Sequence, residues 1–374
     1  IGLVGSEMCI RDRPGNVTFI SHSGSGMCGI VDCDQRIRFN LVVSTGNELG
    51  VTMDEYLDFA LDLPDTRVVG LFVETARNPS GLRAALQKAN DRKIPVIAIK
   101  VGRTSKAAEM AVSHSGAIAG DDAAYDALFD RYGVQRVADM EDMAVALILF
   151  STMYPVGAGG LVALHDSGGE RQLLIDLADS TGVPLTEVSA DTARKLRTAL
   201  DPELPAVNPL DGWSRGGPDS DRNMTRCLTY LMQDAGAAIG ALMLDRAPDG
   251  RIDEVYIDHM RAARQASGKP VALVPAWQGS GSDPLAVSAT HAGMPVVDGV
   301  SPFLRGVRAM LDYRDFSQRG TDRAAQQSNS MTRRWQERLR GNVLHEAEAL
   351  ALLRDFGVDA SPCIAVSTHS EAVD

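Results

Sequence analysis

The chain has 374 residues, of which 44% are hydrophobic and 23% charged, and it carries a net charge of −12. That length suits two or three domains. The acidic balance excludes nucleic acid as the main partner, because a phosphate backbone needs a basic surface, but it leaves small phosphorylated ligands open, since backbone N–H groups can hold them.

The longest apolar runs, such as Met143 to Phe150, are too short to span a bilayer, so no membrane partner is expected. Five cysteines (Cys9, Cys28, Cys33, Cys227 and Cys363) are scattered along the chain, and an odd count suits reduced thiols in a cytoplasmic protein. Cys28 and Cys33 have no second pair nearby, so no metal site is assigned. Residues 1–13 do not begin with Met and lack a signal peptide's layout. They resemble a translated sequencing-adapter read and are taken as a non-native tail.

From Gly15, short apolar β-branched runs alternate with helical patterns, which predicts a parallel sheet with crossover helices. Strands are expected at Val17–Ser21, Phe39–Ser44, Val68–Glu74, Pro95–Lys100 and Val134–Val137. Helices are expected at Tyr56–Leu61, Ser80–Asn90, Asp121–Tyr132 and Met140–Phe150, closing a first α/β domain over 14–153. The glycine-rich hinge Pro155–Gly160 precedes a restart of the alternation. Strands at Leu161–His165, Leu185–Val188, Ile239–Asp245, Pro270–Pro275 and Pro295–Val297 predict a second α/β domain over 154–313. Polar residues 314–340 read as a linker with some helix. A helix at Leu344–Phe356 and a strand near Ile364–Ser367 would open a third domain within 341–374 that stops too early to form a core.

Strand Val17–Ser21 runs into Ser21-His22-Ser23-Gly24-Ser25-Gly26-Met27-Cys28-Gly29. Small residues after a strand let the amides of the following helix terminus approach an anion, which the helix dipole favours. Gly24, Gly26 and Gly29 also match the dinucleotide fingerprint, yet the acidic residue at the right separation, Glu48, lies beyond a turn. A tight turn with no ligand is the plain alternative. The second domain opens likewise, with Asp166-Ser167-Gly168-Gly169-Glu170 ahead of a helical run, so one phosphoryl group held between two helix termini is the joint expectation.

His114 lies in Ser113-His114-Ser115-Gly116-Ala117, a small-residue loop with nothing apolar beside it to explain it as packing. Imidazole takes a phosphoryl group on one nitrogen when an acceptor holds the other. Glu74, at the carboxyl end of its strand, is the expected acceptor, though it could instead pair with Arg77. His22 is expected to contact the phosphate or fill the cradle wall, and His165 reads as structural. Neither Ser23 nor Ser25 has the glycine spacing of a nucleophile elbow.

The run from Ser113 to Asp121, with Ala127-Leu128-Phe129 and Gly133-Val134, closely resembles the phosphohistidine segment of the NDP-forming acyl-CoA synthetases, ADP-forming acetate–CoA ligases of the succinyl-CoA synthetase superfamily. Ser21–Gly24, Ser44–Glu48, Glu74, Lys100–Arg103, Ser167–Gly169 and Asn208–Asp211 extend the resemblance over 15–374. It implies two consecutive flavodoxin-like, three-layer α/β domains with parallel sheets, then the start of an ATP-grasp domain, with a CoA-binding domain and most of the ATP-grasp lying elsewhere. It further implies a ligase that converts acyl-CoA, ADP and phosphate reversibly to acid, ATP and CoA through an acyl phosphate and a phosphohistidine.

By that resemblance His114 carries the phosphoryl group and Glu74 orients it. Ser23, Gly24 and Ser25 face Ser167, Gly168 and Gly169 as phosphate-binding termini. CoA and ATP or ADP with magnesium would serve the whole enzyme, nothing would be tightly bound here, and this portion alone would be inactive; a homodimer is a further expectation. His22 stands where the family commonly has Gln, and Ser115 where it has Thr, which leaves the acyl substrate open. The alternatives are a nonenzymatic module of the same fold that binds acyl-CoA or phosphate, and a nicotinamide dehydrogenase using Gly24–Gly29.

Overall fold

The structure, a computed structural model, describes residues 15–104, 106–107, 122–213, 217–319, 329–339, 343–361, 363 and 366. The expected strand near 364–367 therefore lies almost wholly outside the described residues. Residues up to 318 form one compact unit, and 319–374 a second.

Strands β1 (Val17–Ser21), β2 (Phe39–Ser44), β3 (Val68–Val73), β4 (Val96–Lys100) and β5 (Gln135–Arg136) make an all-parallel sheet in the order β2-β1-β3-β4-β5. Its helices are α1 (Gly24–Cys33), α2 (Met53–Asp62), α3 (Pro79–Asp91), α4 (Asp122–Tyr132) and α5 (Met140–Thr152). Local chemistry sets their starts. Asn78 caps α3 through its side chain with Pro79 at the first helical position, and Asp139 accepts from Asp142 N at the head of α5.

A second parallel sheet follows: β6 (Gly160–His165), β7 (Leu210–Asp211), β8 (Ala237–Met243) and β9 (Val271–Leu273), ordered β7-β6-β8-β9. With it go α6 (Gly168–Thr181), α7 (Ala190–Leu196), α8 (Ser220–Gln233), α9 (Glu254–Ser267), α10 (Pro284–His291) and α11 (Val300–Gln318). The architecture is thus the expected pair of parallel-sheet α/β domains. Two expected strands shrink, because Leu185–Val188 and Pro295–Val297 each make only an isolated bridge, at Leu185 and Val296. One strand was not anticipated. β7 is two residues long, too short for any periodicity, and the Asn208 side chain just before it pins the segment by accepting from Ala163 N and donating to Leu161 O and Thr186 O.

The core explains why the two sheets form one unit. One face of the first sheet packs Ile20, Val69 and Leu71 on α2, α3 and α4, and one face of the second packs Val162, Leu164 and Leu242 on α8 and α9. The other two faces share a single cluster in which Val17, Phe19 and Ile97 meet Leu161 and Ala163 through α5 and α11. From Met143 to Phe150 helix α5 is apolar on every side, as a helix enclosed between layers must be. Gly306 lets α11 approach it closely, since a Cβ there would stand 2.6 Å from Leu149 Cδ1. Arg305 closes the seam on the buried Asp142 carboxylate, its Nε shared between the two oxygens at 2.7 and 2.8 Å and its Nη2 2.6 Å from Oδ1.

The second unit contains α12 (Asn329–Leu339) and α13 (Glu346–Asp355). Trp335 Nε1 donates to Asp355 Oδ2 at 2.7 Å, and Arg338 pairs with Glu348. Among the described residues no helix is long and apolar enough to cross a membrane.

Candidate functional site

The carboxyl ends of β1 to β4 bring together most of the residues singled out in the first domain, as expected for the ligand edge of an open α/β sheet. Ser23 is the N-cap of α1, its hydroxyl accepting from Gly26 N at 3.1 Å. Ser21 Oγ steadies the turn, accepting from Ser23 N at 3.1 Å and donating to Ser23 O at 2.7 Å. Gly24 and Ser25 are exposed at the first helical turn, so their amides, which no helical carbonyl reaches, face outward. Gly24, Gly26 and Gly29 all lie outside the left-handed region, and only at Gly26 would a Cβ be crowded, 3.3 Å from Ser23 Oγ. A Cβ on Gly24 would meet Ser44 Oγ at 3.6 Å, and one on Gly29 would meet open space.

Glu74 follows the last residue of β3, and its backbone N–H points to His22 Nδ1 at 3.3 Å. His22 is almost completely buried. Its Nδ1 also lies 3.1 Å from Phe72 O, and its Nε2 contacts Glu48 Oε1 at 3.2 Å without the alignment of a hydrogen bond. The ring therefore faces the protein rather than the open side of the cradle. Glu48 is buried as well, accepting from Met53 N at 2.6 Å and facing Arg77 Nε at 3.7 Å. A dinucleotide reading needs that carboxylate free beside a ribose, and here it is enclosed. His114 lies outside the described residues.

Sequence reasoning gave Lys100 no role, and the structure places it at this edge. It ends β4 almost fully buried, its ammonium 4.5 Å from the centre of the Tyr125 ring and donating to Val101 O. Burial pushes its pKa down, while the charges of Asp122 and Glu74 oppose that shift. The signal was present in the sequence: a lysine closing an otherwise apolar strand is expensive to bury and seldom lacks a task.

The second cradle has the same backbone and different company. Ser167 caps α6 by accepting from Glu170 N at 3.4 Å. A Cβ on Gly168 would stand 3.1 Å from Asp211 Oδ2, so a carboxylate sits at the first turn. Burial, followed by the charges of Asp245 and Asp211, raises the Asp166 pKa; burial, then Asp245 and Asp166, raises that of Glu170. His165, at the end of β6, is buried with neither ring nitrogen hydrogen-bonded, and burial, with help from the Arg171 charge, holds its pKa down at about 4.

A cleft of about 490 Å³ opens beside the first turn of α1. Ser25, Gly26 and Gly29 form one wall and the loop Gln278–Ser282 contributes the other, with Met140 and Ala144 of α5 between them. Ser167, Gly168 and Gly169 are not among its lining residues. The Arg36 guanidinium ties the two walls together, bonding Asp34 on one side and Asp298 and Val296 O on the other. Among the described residues no group of three or more His, Cys, Asp or Glu side chains is placed to hold a metal ion.

Residues 14–150 match the family described as succinyl-CoA ligase like flavodoxin domain. The chain is 33% identical over 199 residues to an ADP-forming acetate–CoA ligase of Methanocaldococcus jannaschii, covering 53% of this chain and 28% of that protein. It is 27% identical over 281 residues to ADP-forming acetate–CoA ligase I of Archaeoglobus fulgidus, covering 72% of this chain and 39% of the relative. It thus spans well under half the length of either. Among solved structures, the dinucleotide forming acetyl-coenzyme A synthetase 1 of Ca. Korarchaeum cryptofilum, in complex with phosphate and ADP, superposes with a TM-score of 0.68 at 22% identity, over 81% of this chain and 66% of that one. That likeness bears on the fold, and it agrees with the two parallel sheets. Domain match and relatives concur: residues 14–150 match the succinyl-CoA ligase like flavodoxin domain, and the chain is similar to part of the ADP-forming acetate–CoA ligases.

Proposed function

We propose that this chain carries the phosphohistidine step of an acyl-CoA synthetase that forms a nucleoside triphosphate. In the direction of ATP synthesis, phosphate displaces CoA from an acyl-CoA to give an acyl phosphate. A ring nitrogen of His114 then attacks the phosphorus, the bond from phosphorus to the acyl oxygen breaks, and the carboxylate leaves. The phosphoryl group passes from His114 to ADP, which regenerates the imidazole.

The observation that carries this reading is the placement of Glu74 at the end of β3, beside the Ser23-capped first turn of α1. A carboxylate there holds the second imidazole nitrogen of His114 and offsets the positive charge the ring gains on attack. The exposed amides of Gly24 and Ser25 hold phosphoryl oxygens at the positive end of the helix dipole. Ser167, Gly168 and Gly169 supply the facing terminus. Acyl-CoA, phosphate and ADP are the small-molecule partners, and the nucleotide and CoA steps fall to parts of the enzyme beyond these two domains.

Incubation of the chain with radiolabelled acetyl phosphate tests the step without those parts. Label that is acid-labile and base-stable is expected, together with release of acetate. It should vanish in His114→Ala and form on the order of 100-fold more slowly in Glu74→Ala. Label that survives His114→Ala sinks the assignment.

A further inference from the structure

The first sheet's carboxyl edge contains a second histidine that the phosphoryl transfer does not consume, and its ring is held in one sense. His22 Nε2 contacts Glu48 Oε1 at 3.2 Å, and both side chains are almost fully buried. A ring with its only proton on Nδ1 would turn the Nε2 lone pair toward that carboxylate in a place shielded from water, which is repulsive. With the proton on Nε2, the positive N–H edge of the ring lies 3.2 Å from the Glu48 carboxylate, an electrostatic contact rather than an aligned hydrogen bond, and Nδ1 is left to accept from Glu74 N at 3.3 Å. Phe72 O, the acceptor on the same side, already takes the backbone N–H of His22 at 3.1 Å. Nor does the Glu48 charge require a cationic imidazole, because Arg77 and the Met53 amide face the same carboxylate. Glu48 reaches this position from a backbone φ of 52°, a conformation few non-glycine residues adopt.

We infer that Glu48 and His22 are positioning residues for Glu74. Glu48 fixes the His22 tautomer, and His22 Nδ1 holds the Glu74 backbone amide, which sets where the Glu74 carboxylate can reach. The inference rests on the proposed function in one respect: that Glu74 is the group orienting His114. A side-chain amide at position 22 offers the same pair of groups, one acceptor for Glu74 N–H and one donor for Glu48, so His22→Gln preserves the arrangement and His22→Ala removes it.

Two measurements decide the matter. In the chain with isotope-labelled imidazole nitrogens, NMR near neutral pH should show His22 protonated on Nε2 and bare on Nδ1. With radiolabelled acetyl phosphate, His22→Ala and Glu48→Ala should each slow labelling by on the order of 10- to 100-fold, and His22→Gln should return most of the lost rate. A His22 ring carrying its proton on Nδ1 overturns the inference, as does undiminished labelling in His22→Ala. If the unsubstituted chain takes no label, the proposed function fails, and the ring measurement still decides whether Glu48 sets the tautomer that holds Glu74.

Discussion

The carboxyl edge of the first sheet holds the Ser23 cap of α1, the Lys100 ammonium over Tyr125, the His22 ring and a Glu48 carboxylate faced by Arg77. At the same edge of the second sheet, Ser167 caps α6 among Asp166, Glu170, Asp211 and Asp245. Both cradles use one backbone device, a strand, a hydroxyl cap and small residues at the helix head. Their charge surroundings differ: the first mixes cations with carboxylates, whereas carboxylates crowd the second. A repeated sequence pattern therefore fixes where an anion could approach and says nothing about whether the neighbours welcome it, since those neighbours arrive from other strands.

The largest effect expected from this difference concerns His165. Its folded pKa of about 4 lies below the usual 6.5, so the neutral ring is favoured in the fold. That stability is fully present above about 6.5 and is lost as the pH falls toward 4, amounting to about 3 kcal/mol over the window. Urea unfolding across that range should show the loss in the unsubstituted chain and not in His165→Leu; parallel pH dependences would remove His165 from the account.

Next come the two caps. Ser23→Ala and Ser167→Ala should each cost about 1 kcal/mol in thermal or chemical unfolding. Labelling by acetyl phosphate should slow more in Ser23→Ala, because only that cradle stands beside Glu74. Greater slowing in Ser167→Ala would reverse the ranking of the two edges.

The smallest effect belongs to Asp245→Asn. Asp166 and Glu170 have raised pKa values, so the stability they contribute is present at low pH and is lost as the pH rises through their folded values. Removing the Asp245 charge should move both titrations downward and shrink that loss, which carboxyl-resolved NMR titration can follow. Unmoved titrations would leave burial alone as the cause.

How far these edges were legible follows from what sequence patterns record. β1 and β2 fall on the residues where β-branched runs place them, and both serine caps were visible as strand–Ser–Gly junctions. β7 escaped because two residues carry no period, and the Asn208 side chain that anchors it contacts residues more than twenty positions away. The acidity of the second cradle was hidden for a related reason: Asp211 ends β7, Asp245 follows β8, and both reach Asp166 only through the order β7-β6-β8. Glu48 read as a misplaced ribose ligand, since its enclosure by His22, Arg77 and the Met53 amide is a tertiary fact. His114, the strongest chemical signal in the sequence, lies outside the described residues.

The enclosure of α5 has a practical corollary for anyone dividing this protein. A gene cut at the hinge after residue 153 would release a helix whose Leu147, Ile148, Leu149 and Phe150 are all fully covered in the intact chain, partly by α11 from the far side of the cut. The freed face would be an adhesive apolar strip, prone to self-association. A primer placed after residue 318 keeps both halves of that contact in one compact unit, so the useful cloning boundary follows the buried helix rather than the glycines of the hinge.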